Sequence, residues 1–331
     1  MTRKRWSMLS LTQSAALSLA LSLTLFALPA AAQDYPNRPI RIVVPFSPGG
    51  AVDGPTRAVA QELGRRLSQQ IVIDNRPGAG ATIGSEMVAK APPDGYTLLL
   101  ASQTNAISAT LYAKLAFNPI DDFVPISLLG RESAVLVVHP SLPANNVAEL
   151  LALARERRGE LNYASSGNGS GQHLFMALFA SMANIKLTHV PYRGSGQATT
   201  DLLAGTVPMA FPGLAGMLQH IKGGKLRALA VSGSARAAHL PDVPTLAESG
   251  LPGYAAYVWL GLMAPKGTPA AIVERLHREV IASLEAESVQ RYFADAGIEV
   301  AGSSPAEFAA YFRDERDRWA RVIKDTGAKI E

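Results

Sequence analysis

Four glycine-rich turns carry the residues of this sequence that are best suited to holding a ligand. They are Pro48-Gly49-Gly50 and the turns at residues 76–80, 165–171 and 192–196. Glycine lets backbone N–H groups approach a bound group closely, and a helix that begins after such a turn adds the positive end of its dipole. The four turns therefore predict a cleft that binds an anion through the backbone.

Polar side chains of the third turn suit the same task. Ser165, Ser166, Asn168 and Ser170 supply small hydroxyls and an amide, which can hydrogen-bond a carboxylate without covalent chemistry. The same residue types also cap helix N-termini, so both interpretations stay open. His173 lies three residues after Ser170 at the predicted start of a helix, and we expect it to orient this loop.

Charged side chains lie close to the other turns. Asp53 follows the first turn, where it could cap the next helix or accept a hydrogen bond from a ligand amine, a hydroxyl or an ordered water. Arg76 and Arg193 are the cations nearest two of the turns. Because each could equally be a structural or solvated arginine, the prediction of carboxylate binding does not depend on them.

Motifs of known enzyme classes do not fit these turns. Residues 78–84 place their third glycine one residue late for a dinucleotide fingerprint, residues 167–171 do not form a nucleophile elbow, and no Walker lysine follows a turn. The six histidines show no paired spacing, so we expect neither a metal nor a cofactor. We expect no enzyme; the alternative is a secreted serine hydrolase that uses Ser170 or Ser195.

The first 32 residues predict a secretory signal peptide. Arg3-Lys4-Arg5 precede an apolar run and a small-residue ending at Ala32, which predicts cleavage before Gln33 and a secreted protein. A membrane anchor is the alternative. This segment has three basic and no acidic residues, so the rest of the chain carries 28 Lys and Arg against 27 Asp and Glu. That balance predicts no nucleic-acid partner, and the absence of cysteine excludes disulfides and thiolate chemistry.

Short β-rich runs alternate with helical patterns, which indicates an α/β fold. Strands are predicted over residues 40–44, 71–73, 97–101, 135–138, 161–164, 187–190, 209–211, 226–231 and 258–264. Apolar residues with helical spacing predict helices between them and near the C-terminus. We place chain crossings near residues 131–134 and 254–257, which divides the chain into a first lobe of residues 33–133 and 257–331 and a second lobe of residues 134–256.

Motifs along the chain also resemble those of one known family. The quoted segments are PFSPGGAVD from residue 45, NRPGAG from 75, DGYTL from 94, VPYRG from 190, PDVPT from 241 and APKGTP from 264. In this order they resemble the substrate-binding proteins of tripartite tricarboxylate transporters, the Bug family, over essentially the whole chain after residue 32. The ordered set is more specific than any single motif.

The resemblance implies a two-lobed, type II periplasmic binding protein in which each lobe is a mixed sheet flanked by helices. Its ligand would be a small-molecule carboxylate, delivered to a membrane permease of one large and one small subunit, and the protein would be a monomer. A receptor that presents its ligand to a sensor is a further alternative. The ligand-binding residues expected from the resemblance and from the turns are Phe46, Ser47, Gly49, Gly50, Asp53, Ser102, Asn105, Ser165, Ser166, Asn168, Gly169, Ser170, His173, Tyr192 and Arg193.

Two positions depart from the family pattern. Val52 stands where threonine or serine is usual, and Pro208 stands where an aspartate is common. Both changes predict a less polar pocket, which favours an aromatic or longer aliphatic dicarboxylate over a small polar amino acid. Pro208 could instead be a strand-end change without ligand contact.

Overall fold

The structure is a computed structural model that describes residues 35–112 and 114–327. The predicted signal peptide, residues 1–32, lies outside the described residues. Arg38–Glu331 forms one compact unit. Within the described ranges, no helix is both long and apolar enough to cross a membrane.

The strands, in chain order, form two sheets. They are β1 (Ile40–Val44), β2 (Ile71–Asn75), β3 (Thr97–Ser102), β4 (Phe123–Ser133), β5 (Val135–Val138), β6 (Asn162–Ser165), β7 (Thr188–Pro191), β8 (Met209–Ala210), β9 (Arg227–Val231), β10 (Tyr257–Pro265) and β11 (Glu299–Val300). One sheet has the order β11-β4-β10-β3-β1-β2, and the other has the order β7-β6-β8-β5-β9. Each sheet combines parallel and antiparallel neighbours.

Helices follow most of the strands. They are α1 (Asp53–Leu67), α2 (Thr82–Ala89), α3 (Gln103–Leu111), α4 (Val147–Glu156), α5 (Gly171–Met182), α6 (Ser195–Leu203), α7 (Leu214–Lys222), α8 (Ala270–Leu284), α9 (Glu287–Ala296) and α10 (Pro305–Thr326). The α/β fold class, with two mixed sheets flanked by helices, is therefore confirmed.

Parallel strands form the part of each sheet that bears on function. In the first sheet β1 pairs in parallel with β2 and β3, and in the second β6 pairs in parallel with β7 and β8. Four of the five residues of β1 are almost completely buried, which is the pattern of a strand covered on both faces by helices. The carboxyl ends of parallel strands meet at one edge of a sheet, so the turns that follow them are brought together.

The sequence prediction located nine of the strands and missed β4 and β11. The β4 segment contains Pro125 and Gly130, and its pairing with β10 has two register shifts, so it lacks the regular alternation that marks a strand. The two-residue β11 pairs only with β4 in the described structure. The predicted crossings fall at the β4–β5 connection and at the start of β10. The lobe boundaries at residues 133/134 and 256/257 stay a prediction.

The C-terminal helix α10 is held to the first sheet by aromatic side chains and one buried carboxylate. Trp259 of β10 packs edge-on against Phe308 and Phe312 of α10. Glu315 is 6% exposed and accepts hydrogen bonds from the indole N–H groups of Trp259 and Trp319, both at 3.0 Å. Two donors on one carboxylate offset the cost of burying it.

A second buried carboxyl group lies where the chain passes from one sheet to the other. Glu132, near the end of β4, is 3% exposed, and its Oε2 accepts a 2.6 Å hydrogen bond from the N–H of Ala215 in the first turn of α7. Gly213, the N-cap of α7, has no side chain to do this. Burial raises the pKa of Glu132 to about 8, although the Ala215 hydrogen bond opposes the rise.

Glu132 should make the protein less stable as the pH rises from 5.5 to 7. Its ordinary pKa is 4.5 and its folded pKa is about 8, so in this interval the folded state holds a proton that the unfolded state has lost. The expected loss of unfolding free energy is about 1.4 kcal/mol per pH unit. Glu132→Gln keeps an acceptor for Ala215 and should remove this slope in urea titrations.

The control is Glu274→Gln, which removes one negative charge from an exposed position of α8. It should keep the wild-type slope. Parallel pH profiles for wild type and Glu132→Gln would contradict the assignment.

Candidate functional site

Among the described residues, six helices begin at the edge of one cavity of about 630 Å³. Three of them follow β1, β2 and β3, and three follow β6, β7 and β8, so each begins at the carboxyl end of a parallel strand. Their N-cap residues all line the cavity: Val52, Ala81, Ser102, Ser170, Gly194 and Gly213. The positive ends of six helix dipoles therefore face the same space.

The side chains around this cavity add little negative charge to oppose that field. Within the described residues, no aspartate or glutamate lines it, and Arg193 is the one lining residue with a charged side chain. Much of the wall is apolar, from Phe46, Val52 and Val258 and the rings of Tyr112 and Tyr192. The arrangement suits an anion that also carries an apolar body.

The first turn is held in place by Asp53, the first residue of α1. The N–H of Gly49, whose φ is +75°, donates to Asp53 Oδ2 at 3.0 Å. Asn75 donates to Asp53 Oδ1 at 2.8 Å and to the carbonyl of Phe46 at 3.0 Å. Arg57 donates to both carboxylate oxygens of Asp53. The turn thus has a fixed shape before any ligand arrives.

Asp53 is 4% exposed and does not line the cavity. Burial raises the pKa of this carboxyl, but the hydrogen bonds from Arg57, Gly49 and Asn75 outweigh it, so the net pKa is lowered and Asp53 is charged at neutral pH. Of the two interpretations of Asp53, the structure places the carboxylate in an internal role, although Val52 and not Asp53 is the N-cap.

The third turn, residues 165–170, is also held from behind. Ser170 Oγ accepts from the N–H of His173, which is the capping interpretation of this serine, and Ser170 also lines the cavity. Nδ1 of His173 accepts from the N–H of Gly169 at 3.2 Å, so this histidine orients the loop as expected. The Ser170 hydroxyl and the His173 ring are not hydrogen-bonded to each other, which is not the geometry of a nucleophile and its base.

Ser102 and Asn105 form a capping box at the start of α3. Asn105 Oδ1 accepts from the N–H of Ser102 at 2.9 Å, and its Nδ2 donates to Ser85 Oγ at 2.7 Å. Asn105 is 3% exposed and lies behind the cavity wall, whereas Ser102 is part of it. Asn105 is therefore placed to hold Ser102.

The fourth turn brings Tyr192 and Arg193 to the cavity. The hydroxyl of Tyr192 donates to Asp201 at 2.7 Å; burial and this carboxylate raise its pKa to about 12. Gly194, with φ +116°, lies so close to the first turn that a Cβ there would be 2.9 Å from Ser47 Oγ. The turns after β1 and β7 therefore meet across the cavity.

Nine of the fifteen predicted residues line the cavity: Phe46, Ser47, Gly50, Ser102, Ser166, Asn168, Ser170, Tyr192 and Arg193. The other six lie behind the lining: Gly49, Asp53, Asn105, Ser165, Gly169 and His173. Their hydrogen bonds to the turns give each of these six a positioning contact. Direct ligand contact by any of the fifteen stays a prediction.

Several lining residues were absent from the prediction. Gly213 pairs with Ala134 of the first crossing, Val258 lies at the start of β10 beside the second crossing, and Tyr112 reaches the cavity from the far end of α3. The second glycine turn, residues 76–80, was recognised as a turn, but its residues were left out of the predicted set, and four of them, residues 77–80, line the cavity. Of the two departures from the family pattern, Val52 lines the cavity, whereas Pro208 does not and its carbonyl accepts from the N–H of His139.

Comparison with known proteins identifies the family. The model of the tripartite tricarboxylate transporter family receptor, TctC, matches residues 56–328. The chain belongs to this family. BugT of Bordetella pertussis is 39% identical over 307 residues, which covers 92% of this chain and 94% of BugT.

Two solved structures extend the comparison to ligands. Rpa4515 of R. palustris, solved with adipate, is 36% identical with a TM-score of 0.86 and covers 90% of this chain and 100% of its own. MatC of Rhodopseudomonas palustris, solved with bound malate, is 32% identical with a TM-score of 0.83. The match covers 87% of this chain and 100% of the MatC chain. The TctC-family chain is a solute-binding protein, and it has the two-lobed fold of periplasmic binding proteins.

Removing the Asp53 carboxylate should destabilise the protein. Asp53→Ala leaves the Gly49 N–H without its acceptor and removes one of the two acceptors of the Asn75 amide, and the expected loss of unfolding free energy is about 2 kcal/mol. Urea denaturation gives this value directly.

Glu86→Ala is the matched control because Glu86 pairs with Lys90 on an exposed helix face. That substitution should cost less than about 0.5 kcal/mol. Equal losses for the two variants would show that Asp53 does not hold the turn.

Proposed function

We propose that this protein captures a small-molecule carboxylate in the periplasm and delivers it to a tripartite tricarboxylate-type permease of one large and one small membrane subunit. The observation that carries the proposal is the convergence of six helix N-termini on a cavity that no described acidic side chain lines. A carboxylate there would accept hydrogen bonds from backbone N–H groups and from the hydroxyls of Ser47, Ser102 and Ser166.

The ligand class follows from the rest of the lining. A cavity of about 630 Å³ with Phe46, Val52 and Val258 on its wall has room for an aromatic ring or a chain of several methylenes beside the carboxylate. Arg193, the one described lining residue with a charged side chain, would meet a second carboxylate. An aromatic or aliphatic dicarboxylate is therefore the proposed ligand, and the adipate bound to Rpa4515 is consistent with it.

Signal-peptide cleavage, oligomeric state and lobe boundaries are proposed from the sequence and the family. The signal peptide would be cleaved near Ala32-Gln33, and the protein would act as a monomer without catalysing a reaction. The first lobe would hold residues 33–133 and 257–331, and the second would hold residues 134–256. The division of strands between the two sheets supports these boundaries, since β5–β9 form one sheet and the other strands form the second.

The proposal is tested by measuring the binding of mono-, di- and tricarboxylates, aromatic acids and acidic amino acids to Gln33–Glu331 by titration calorimetry, and the effect of each acid on unfolding by scanning calorimetry. We expect the tightest binding from one class of dicarboxylate, with a gain of about 2.7 kcal/mol in stability at 100 times the Kd. Gly50→Val, which fills the lining of the first turn, should weaken that binding at least tenfold.

Gly216→Val is the control for that variant, since Gly216 lies on α7 with no atom within 4 Å of its Cβ position. It should bind as wild type does. Tighter binding of aspartate or glutamate than of any other diacid would refute the ligand class, and equal affinity of Gly50→Val and wild type would refute the site.

Arg193 should distinguish dicarboxylates from monocarboxylates. Replacing it in Arg193→Gln removes the charge that would meet the second carboxylate, so the Kd for the best dicarboxylate should rise about tenfold or more. The Kd for the matching monocarboxylate should change little.

Arg76→Gln is the control, because Arg76 donates to Asp74 and does not line the cavity. If Arg193→Gln weakens both acids equally, Arg193 does not select the second carboxylate.

A further inference from the structure

Three aromatic rings stack directly behind the loop of residues 165–170. Tyr163 of β6 lies against His189 of β7, with ring centroids 4.9 Å apart. His189 lies in turn against His173 of α5, with centroids 4.1 Å apart and planes within 2° of parallel. The stack joins the helix and the two strands that flank this loop, so its position is set by three separate elements.

Each imidazole in the stack contacts the loop through one ring nitrogen. Nδ1 of His173 accepts from the N–H of Gly169 at 3.2 Å. Nε2 of His189 lies 2.6 Å from Ser165 Oγ, and this hydroxyl accepts from the N–H of Gly167 at 3.1 Å. Both loop glycines have positive φ, +127° at Gly167 and +75° at Gly169. The two histidines therefore hold the loop at its two left-handed positions.

The face of the loop opposite the stack belongs to the cavity. Ser166, Gly167, Asn168 and Ser170 all line it. A loop with two left-handed glycines has many conformations when it is free, and a ligand that had to order it would bind more weakly. Contacts that fix the loop beforehand would remove that cost.

We propose that His173 and His189 are positioning residues, whose paired imidazoles preset the loop of residues 165–170 for the incoming carboxylate. The proposal rests on the proposed function, because it assigns a task to that same site. An imidazole accepts a hydrogen bond only through an unprotonated nitrogen, so His173 must be neutral to hold Gly169. Burial lowers the pKa of His173 to about 4 and that of His189 to about 3, so both rings are neutral near pH 7.

Four substitutions test whether the position of the hydrogen-bonding ring nitrogen matters, separately from the burial and size of the side chain. Asparagine places its amide oxygen near an Nδ1 position, and glutamine places it near an Nε2 position. The matched pair, His173→Asn and His189→Gln, should therefore keep the loop contacts. The crossed pair, His173→Gln and His189→Asn, should lose them. His220→Gln, on α7, is the control.

Two measurements are made on each variant near pH 7. The first is the Kd for the best acid found with wild type, which should stay within about threefold for the matched pair and rise at least tenfold for the crossed pair. The second is the exchange rate of the Gly167 and Gly169 amides in the ligand-free protein, which should rise at least tenfold only in the crossed pair.

Equal behaviour of the matched and crossed variants in amide exchange would overturn the proposal. Exchange that rises at these two amides without any change in Kd would overturn it as well, since the loop would then not govern binding. If wild type binds no acid in the panel, the proposed function fails, and the amide exchange rates still decide whether the histidines hold the loop.

Discussion

The placement of six helix N-termini around one cavity is the constraint around which this molecule is arranged. Each helix begins with backbone donors that lack an intrahelical acceptor; Ser102, Ser170 and Glu132 each accept from one of these donors, and the N-cap residue of each of the six helices lines the cavity. Each terminus interacts favourably with an anion by about 0.3 to 1 kcal/mol, and more when partly buried. An anion in the cavity would interact favourably with all six.

Two acidic side chains lie near the helix N-termini, but neither lines the cavity. Asp53 lies behind the first turn, where Arg57 pairs with its charge and Asn75 donates a hydrogen bond to it. Glu132 contacts the first turn of α7 from the rear, and burial keeps it protonated at neutral pH. Both carboxyl groups shape the site, and neither places a negative charge on its lining.

Rigidity behind the cavity comes from a second layer of polar contacts. Asn105 holds Ser102, His173 holds Gly169, and His189 reaches Gly167 through Ser165. This layer explains why several residues that suit a ligand by type do not line the cavity. A small polar side chain beside a glycine turn can bind the ligand or bind the turn, and only its direction distinguishes the two.

Local sequence determined the elements that obey simple periodic rules. Apolar strands, glycine turns and helix starts each depend on the types of a few consecutive residues. The α/β class, the strands except β4 and β11, and the turn at each predicted site were therefore predictable. The order of the family motifs added the two-lobed fold. Tertiary structure alone decided which side chains line the cavity. Gly213 lines it beside Ala134, with which it pairs, Val258 lines it from the start of β10, and Asp53 lies behind it, where Asn75 of β2, 22 residues along the chain, donates to its carboxylate. Such contacts join residues far apart in the chain, and no local pattern encodes their direction.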